Sequence, residues 1–148
     1  MTKRRFTSKL QSVRTVREHA ELMAMRDLAG ELRQAAALKQ ELTVAHDRLH
    51  TARTVAANGG VTGAELLVRQ AYVERVEREL TYARMRAAAQ DDHVEVTRVR
   101  LQEAARDRET VVKLEGRRRA AHDQETRRLE RNAGEELAVQ MHMRQASA

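Results

Sequence analysis

A chain of 148 residues with no cysteine, no proline and only three aromatic side chains (Phe6, Tyr72, Tyr82) lacks the thiols for disulfides or thiolate metal sites, and the large rings that fill a thick core. Charged residues make up 34% and good helix formers dominate the rest, which is the composition of long helices and coiled coils and argues against a compact globule. The net charge of +6 is local: residues 1–20 carry six Lys/Arg against one Glu, residues 113–131 carry seven against four, and the remainder is slightly acidic.

The start, Met1 to Phe6, is basic, but no apolar stretch of signal-peptide length follows and nothing approaches a membrane-spanning run. The expectation is a cytoplasmic protein. From Phe6 the apolar positions advance in steps of three and four through Leu10, Val13, Ala20, Ala24, Leu28 and Leu32, then through Ala35, Leu38, Leu42, Ala45, Leu49 and Ala52. That is the stripe of one amphipathic helix over about residues 6–57, with Arg17 as its polar interruption. Residues 58–63, Asn-Gly-Gly-Val-Thr-Gly, hold three of the six glycines and predict a turn, with Thr62 as N-cap and Glu65 three residues on.

A second helix is expected over about 64–142. From Val73 its seam runs Val76, Leu80, Ala83, Ala87, Gln90, Val94, Thr97, Leu101, Ala104, Arg108 and Val111 in strict 3-4 alternation, and only Gln90, Thr97 and Arg108 are polar. Folding back about the turn, facing residues add to roughly 121, which sets Leu49 opposite Val73, Ala45 opposite Val76, and Leu10 opposite Val111. Near Phe6 the first helix runs out, and there the second loses its seam, since the next heptad positions are Glu115 and Arg118. The chain thus reads as all-α: one antiparallel coiled-coil hairpin over residues 1–148, its second helix longer and overhanging. Gly30, Gly116 and Gly134 are its expected weak points, each costing about 1 kcal/mol against Ala within a helix.

No catalytic chemistry is assembled. His46 and His50 have the spacing to share a metal from one helix face but enclose Asp-Arg-Leu, without the glutamate of the zinc-protease motif. The glycines after Asn58 lack the Gly-Lys-Ser/Thr of a phosphate loop. Carboxylates abound, but a two-stranded coiled coil encloses no pocket to shift their pKa. No enzyme activity, cofactor, metal or small-molecule substrate is expected. The hairpin brings the basic N-terminus and the basic overhang to one open end, where an acidic protein could read both. Nucleic acid is the competing partner for such charge, though Glu115, Asp123, Glu125 and Glu130 interrupt the run and no aromatic is there to stack on bases. A plain structural coiled-coil dimer is the third reading.

Two blocks resemble the flagellar FliJ family of type III export proteins. The first is Phe6-x3-Leu10-Gln11-x-Val13-x3-Arg17-Glu18, similar to the family's opening helix. The second is Lys113-Leu114-Glu115-Gly116-Arg117-Arg118-Arg119, followed by Glu125-x-Arg127-Arg128-x-Glu130 and Glu135-Glu136-Leu137-Ala138, similar to its terminal motif. Gly116 and the Asn132-Ala-Gly134 stretch depart from the charged or straight-chain residues of that pattern. The resemblance implies a coiled-coil component of the export apparatus that enters the hexameric export ATPase as a central stalk and links it to the export gate protein FlhA. It also implies handling of export chaperones, and association with the inner membrane only peripherally, through partners. On that reading the ATPase contacts are Arg4, Arg5, Lys9, Lys113, Arg117, Arg118, Arg119, Arg127 and Arg128, and the gate contacts are Tyr72 and Val76. The equivalent stalk of a virulence secretion system is the nearest alternative.

Overall fold

The structure, a computed structural model, describes residues 9–59 and 62–146. Among them there are two helices and no strand: α1, Gln11–Ala57, and the longer α2, Gly63–Ala146. Residues 6–8, the expected first turn of α1, lie outside the described residues. The helices contribute to two compact units, one of Glu21–Ala104 and one of Met1–Ala20 with Ala105–Ala148.

In the unit of Glu21–Ala104 the turn is built by side chains that satisfy helix ends. The Thr62 amide donates to Glu65 Oε2 at 2.9 Å and the Glu65 amide donates to Thr62 Oγ1 at 3.4 Å, the reciprocal capping box expected from the sequence. The other helix end is met from a distance: Arg69 Nη1 donates to the carbonyls of Val55 (3.0 Å) and Asn58 (3.1 Å), closing acceptors that α1 cannot use itself. Behind the turn lies the apolar core, Leu49, Ala52, Val73, Val76 and Leu80, with Leu42, Ala45 and Ala56 packed against it.

On α2 the expected seam is the buried one, with Val73, Val76, Leu80, Ala83, Ala87, Gln90, Val94 and Thr97 all buried. On α1 the phase differs in one stretch. The less exposed positions run Glu21, Ala24, Leu28, Glu31, Ala35 and Leu38, so Glu31 takes the place expected of Leu32, which is 45% exposed, and Glu21 that expected of Ala20. The reason is polar pairing inside the seam. Gln90, buried opposite, donates its amide to the Glu31 main-chain carbonyl (3.2 Å) and to the Glu31 carboxylate, so each satisfies the other. Thr97 turns its hydroxyl back to the His93 carbonyl at 2.8 Å. Gly30 beside this layer has nothing within 4 Å of where a Cβ would stand, so no close approach requires it.

Within the seam the Gln90–Glu31 contact adds to the expected 121, whereas the pairs that flank the seam add to more. Pairs that flank the seam are Arg48–Glu79 (3.2 Å) and Glu41–Arg86 (3.1 Å), whose numbers add to 127, and Arg53–Glu77 (2.6 Å) and Lys39–Asp91 (3.2 Å), whose numbers add to 130. Side chains lean toward the N-terminus of their own helix, so long flanking pairs join residues whose numbers add to slightly more than those of the short core layers. Reversed chain direction sets an a position against a d position, and both conditions are met by layers that add to 125, such as Leu49 with Val76, Ala52 with Val73 and Leu42 with Ala83. The expected pairs matched a with a and d with d. We therefore expect cysteines at Leu42 and Ala83 to oxidise to a disulfide in the folded chain faster than cysteines at Leu42 and Leu80, as read on non-reducing gels; the opposite order would restore the register of 121.

Candidate functional site

The unit that contains both chain ends holds the expected basic surface. Arg4 and Arg5 lie outside the described residues, and Lys9 is exposed just ahead of α1. Two other cations of the N-terminal segment are engaged within the unit. Arg14 meets Glu18 at 2.8 Å and Glu115 of α2 at 3.4 Å, and its pKa is raised above the ordinary arginine value, chiefly by the hydrogen bond to Glu18. Arg17, the polar interruption of the α1 stripe, reaches Asp107 at 2.8 Å. These arginines hold α1 against α2 where the seam has few apolar residues.

Along α2 the basic residues divide into two groups. Lys113 sits 2.7 Å from Glu109, one turn back, and holds that carboxyl below the usual carboxylate range, mainly through this hydrogen bond. Arg128 pairs with Glu125 at 3.0 Å. Arg117, Arg118, Arg119 and Arg127 are exposed and make no ion pair among the described residues. Successive residues of an α-helix turn by about 100°, so three consecutive arginines cover roughly 200° of the circumference. Arg128, eleven residues on from Arg117, returns to nearly the same face. This charge wraps the helix and does not form a stripe. A flat partner meets only part of it, whereas a partner that surrounds the helix meets all of it. The interior of such a partner would have to be acidic, because positive charge desolvated without a counter-charge is costly.

The expected gate contacts separate. Tyr72 is 48% exposed, available to a partner. Val76 is 1% exposed, the most buried large side chain among the described residues, and belongs to the core with Leu49 and Leu80. Val76 is a seam position, so its side chain reaches a partner only if the core opens, whereas Tyr72 beside the seam is accessible. Beside Tyr72 the structure shows exposed Val55 (49%) at the end of α1 and Val68 (70%) on α2, and Leu66 (53%) and Leu67 (74%) are exposed on other sides of the first turns of α2. The signal was present, since three consecutive apolar residues on one helix cannot all face a single partner helix.

The His46 ring nitrogen Nε2 lies 3.2 Å from Arg84 Nη2, a flanking contact across the seam. No cluster of three or more histidine or carboxylate side chains is placed to hold a metal among the described residues. No helix among them is long and apolar enough to cross a membrane.

Compared with known proteins, the chain is matched over residues 4–147 by the family model described as flagellar FliJ protein. None of the curated proteins and none of the solved structures compared with it matches.

Proposed function

This chain belongs to the flagellar FliJ protein family, and from that premise we propose that it is a non-enzymatic adaptor of flagellar protein export that binds the hexameric export ATPase as a central stalk. Family membership supports the coarser part, a role in flagellar export, and the resemblance of its two terminal blocks adds the stalk. The observation that carries the finer part is the wrapping of α2 by Arg117, Arg118, Arg119 and Arg127, which suits enclosure by a ring better than contact with one flat surface. These residues steer and orient the stalk through charge complementarity, with Lys9, Arg4 and Arg5 adding to the field, while Lys113 and Arg128 contribute less because Glu109 and Glu125 already neutralise them.

At the turn, Tyr72 with Val55 and Val68 beside it forms the surface we assign to the export gate protein FlhA, and export chaperones are the remaining class of partner. In this reading the protein works in the cytoplasm and reaches the inner membrane only through its partners. The experiment adds the purified chain to its cognate export ATPase and follows ring formation by light scattering and nucleotide hydrolysis by phosphate release. The expected result is that both rise at micromolar chain concentration. No change in either with a well-folded chain overturns the stalk assignment, and a salt-sensitive shift of duplex DNA at physiological ionic strength would favour the nucleic-acid reading instead.

A further inference from the structure

One flank of the unit Glu21–Ala104 carries an open groove between α1 and α2. Its walls are Ala37, Glu41, Val44 and Arg48 on α1 and Glu79, Tyr82 and Arg86 on α2. At Arg48 it continues into a second groove lined by Val55, Val68 and Tyr72. Val44 is 56% exposed and Tyr82 65% exposed, so the apolar side chains of this flank stand in solvent. On the opposite flank Lys39, His46 and Arg53 of α1 face Asp91, Arg84 and Glu77 of α2, while Leu32 and Met25, one and two heptads before Lys39, are exposed there. At the level of Val44 and Tyr82 the exposed apolar side chains stand on this flank, beyond what the hairpin's own seam uses.

The charges around Val44 and Tyr82 say what fits there. Glu41 is joined to Arg86 across the groove at 3.1 Å, and two turns further along Arg48 is joined to Glu79 at 3.2 Å. Signs therefore alternate around a square, negative then positive along α1 and positive then negative along α2. The four cancel, so net charge favours neither an acidic nor a basic partner. A two-fold copy of the same square, however, finds an opposite sign at every corner. With α1 against α1, Glu41 meets the copy's Arg48 and Arg86 meets its Glu79. With α1 against α2, Glu41 meets the copy's Arg86 and Arg48 meets its Glu79. Self-complementarity of this kind is what an isologous two-fold interface requires.

We propose that a second copy of this chain docks on this groove, packing two hairpins side by side into four helices with Val44 and Tyr82 at the centre. The two apolar side chains leave water and the alternating charges fix the alignment. The groove is short, and the interface falls at the weak end of specific association.

The test uses the full chain alone, so its outcome is independent of the export reading. In light scattering at physiological salt the mass should rise from 16.9 kDa toward twice that value between about 1 and 100 µM, as a small interface predicts. Val44→Glu and, separately, Tyr82→Glu should hold the mass at that of the monomer over the whole range with unchanged far-UV circular dichroism, since both side chains are exposed, while Val44→Ile keeps the dimer. A disulfide formed by Val44→Cys between copies would place α1 against α1. A wild-type chain that stays monomeric throughout overturns the proposal, and so does a dimer that both glutamate variants leave intact.

Discussion

Val76→Asp is expected to melt the turn-proximal core of the hairpin. Val76 is 1% exposed and touches the cluster of Leu49, Ala52, Val73 and Leu80, with no polar side chain in that cluster to receive a carboxylate. Losing the buried valine forfeits about 1.5–3 kcal/mol of apolar burial, and an unpaired carboxylate in its place adds several more unless it takes up a proton. Few other layers can absorb that loss. A two-stranded seam with alanine at Ala35, Ala45, Ala52, Ala83 and Ala87 buries little per layer. The expected result is a net destabilisation of about 4 kcal/mol or more, seen as a large loss of far-UV helical signal at room temperature and a transition moved far down in temperature. A melting curve superposable on the wild type would show that this core does not hold the hairpin. Tyr72→Ser, four residues away but 48% exposed, is the matched control: helicity should survive, and only partner binding should change.

The second large effect is functional. Reversing Arg117, Arg118 and Arg119 to glutamate changes the charge of one helical turn by six units while leaving every described cross-helix pair in place. On the proposed stalk reading, the affinity of the chain for the export ATPase, and the stimulation that would follow from it, should fall by roughly one to two orders of magnitude, with most of the loss in the association rate. Raising ionic strength with the wild-type chain should reproduce part of the loss, because the Debye length shrinks from about 10 Å at 0.1 M salt to about 3 Å at 1 M. Lys113→Glu supplies the comparison. Lys113 is bound to Glu109 at 2.7 Å, so its reversal should cost less binding than reversal of any of the three arginines. Equal losses at all four positions would mean that the partner reads total charge and not the free arginines. An unchanged association rate in the triple variant would remove this surface from the ATPase interface.

Reversal must not disturb the helix if the comparison is to be clean, and the local structure favours that. Gly116, which precedes the arginines, lies within continuous helix with open space around it, and the neighbouring ion pairs Lys113–Glu109 and Arg128–Glu125 are local to their own turns. Far-UV circular dichroism of the variant is therefore expected to match the wild type.

Much of this architecture was legible in the linear order of residues. The α2 seam from Val73 to Val111 was written in strict 3-4 alternation, and its buried members in Glu21–Ala104 are the ones the alternation named. The turn was equally plain, because Thr62 and Glu65 cap a helix by local geometry alone. Local rules reach only so far. Apolar character points to Leu32 as the α1 stripe position, whereas the folded chain half-buries Glu31 there, where Gln90 across the seam bonds it. Val76, which the resemblance pairs with Tyr72 as a gate contact, is itself a seam position and is buried, whereas Tyr72 beside the seam is exposed.

What the sequence by itself determined is the presence of two helices, the position of their turn and the stripe that α2 buries, since periodicity and capping are encoded within one turn of helix. Which layer of α1 meets which layer of α2 was decided only in the tertiary structure. A seam of alternating small and medium side chains tolerates several registers with similar apolar burial, and the choice among them falls to the flanking pairs Arg48–Glu79, Glu41–Arg86 and Arg53–Glu77 and to the buried Gln90. The same packing decided which arginines are spent inside the protein, as Arg14 and Arg17 are, and which remain for a partner. Charge can be counted from a sequence, but its availability depends on carboxylates that only folding brings within reach.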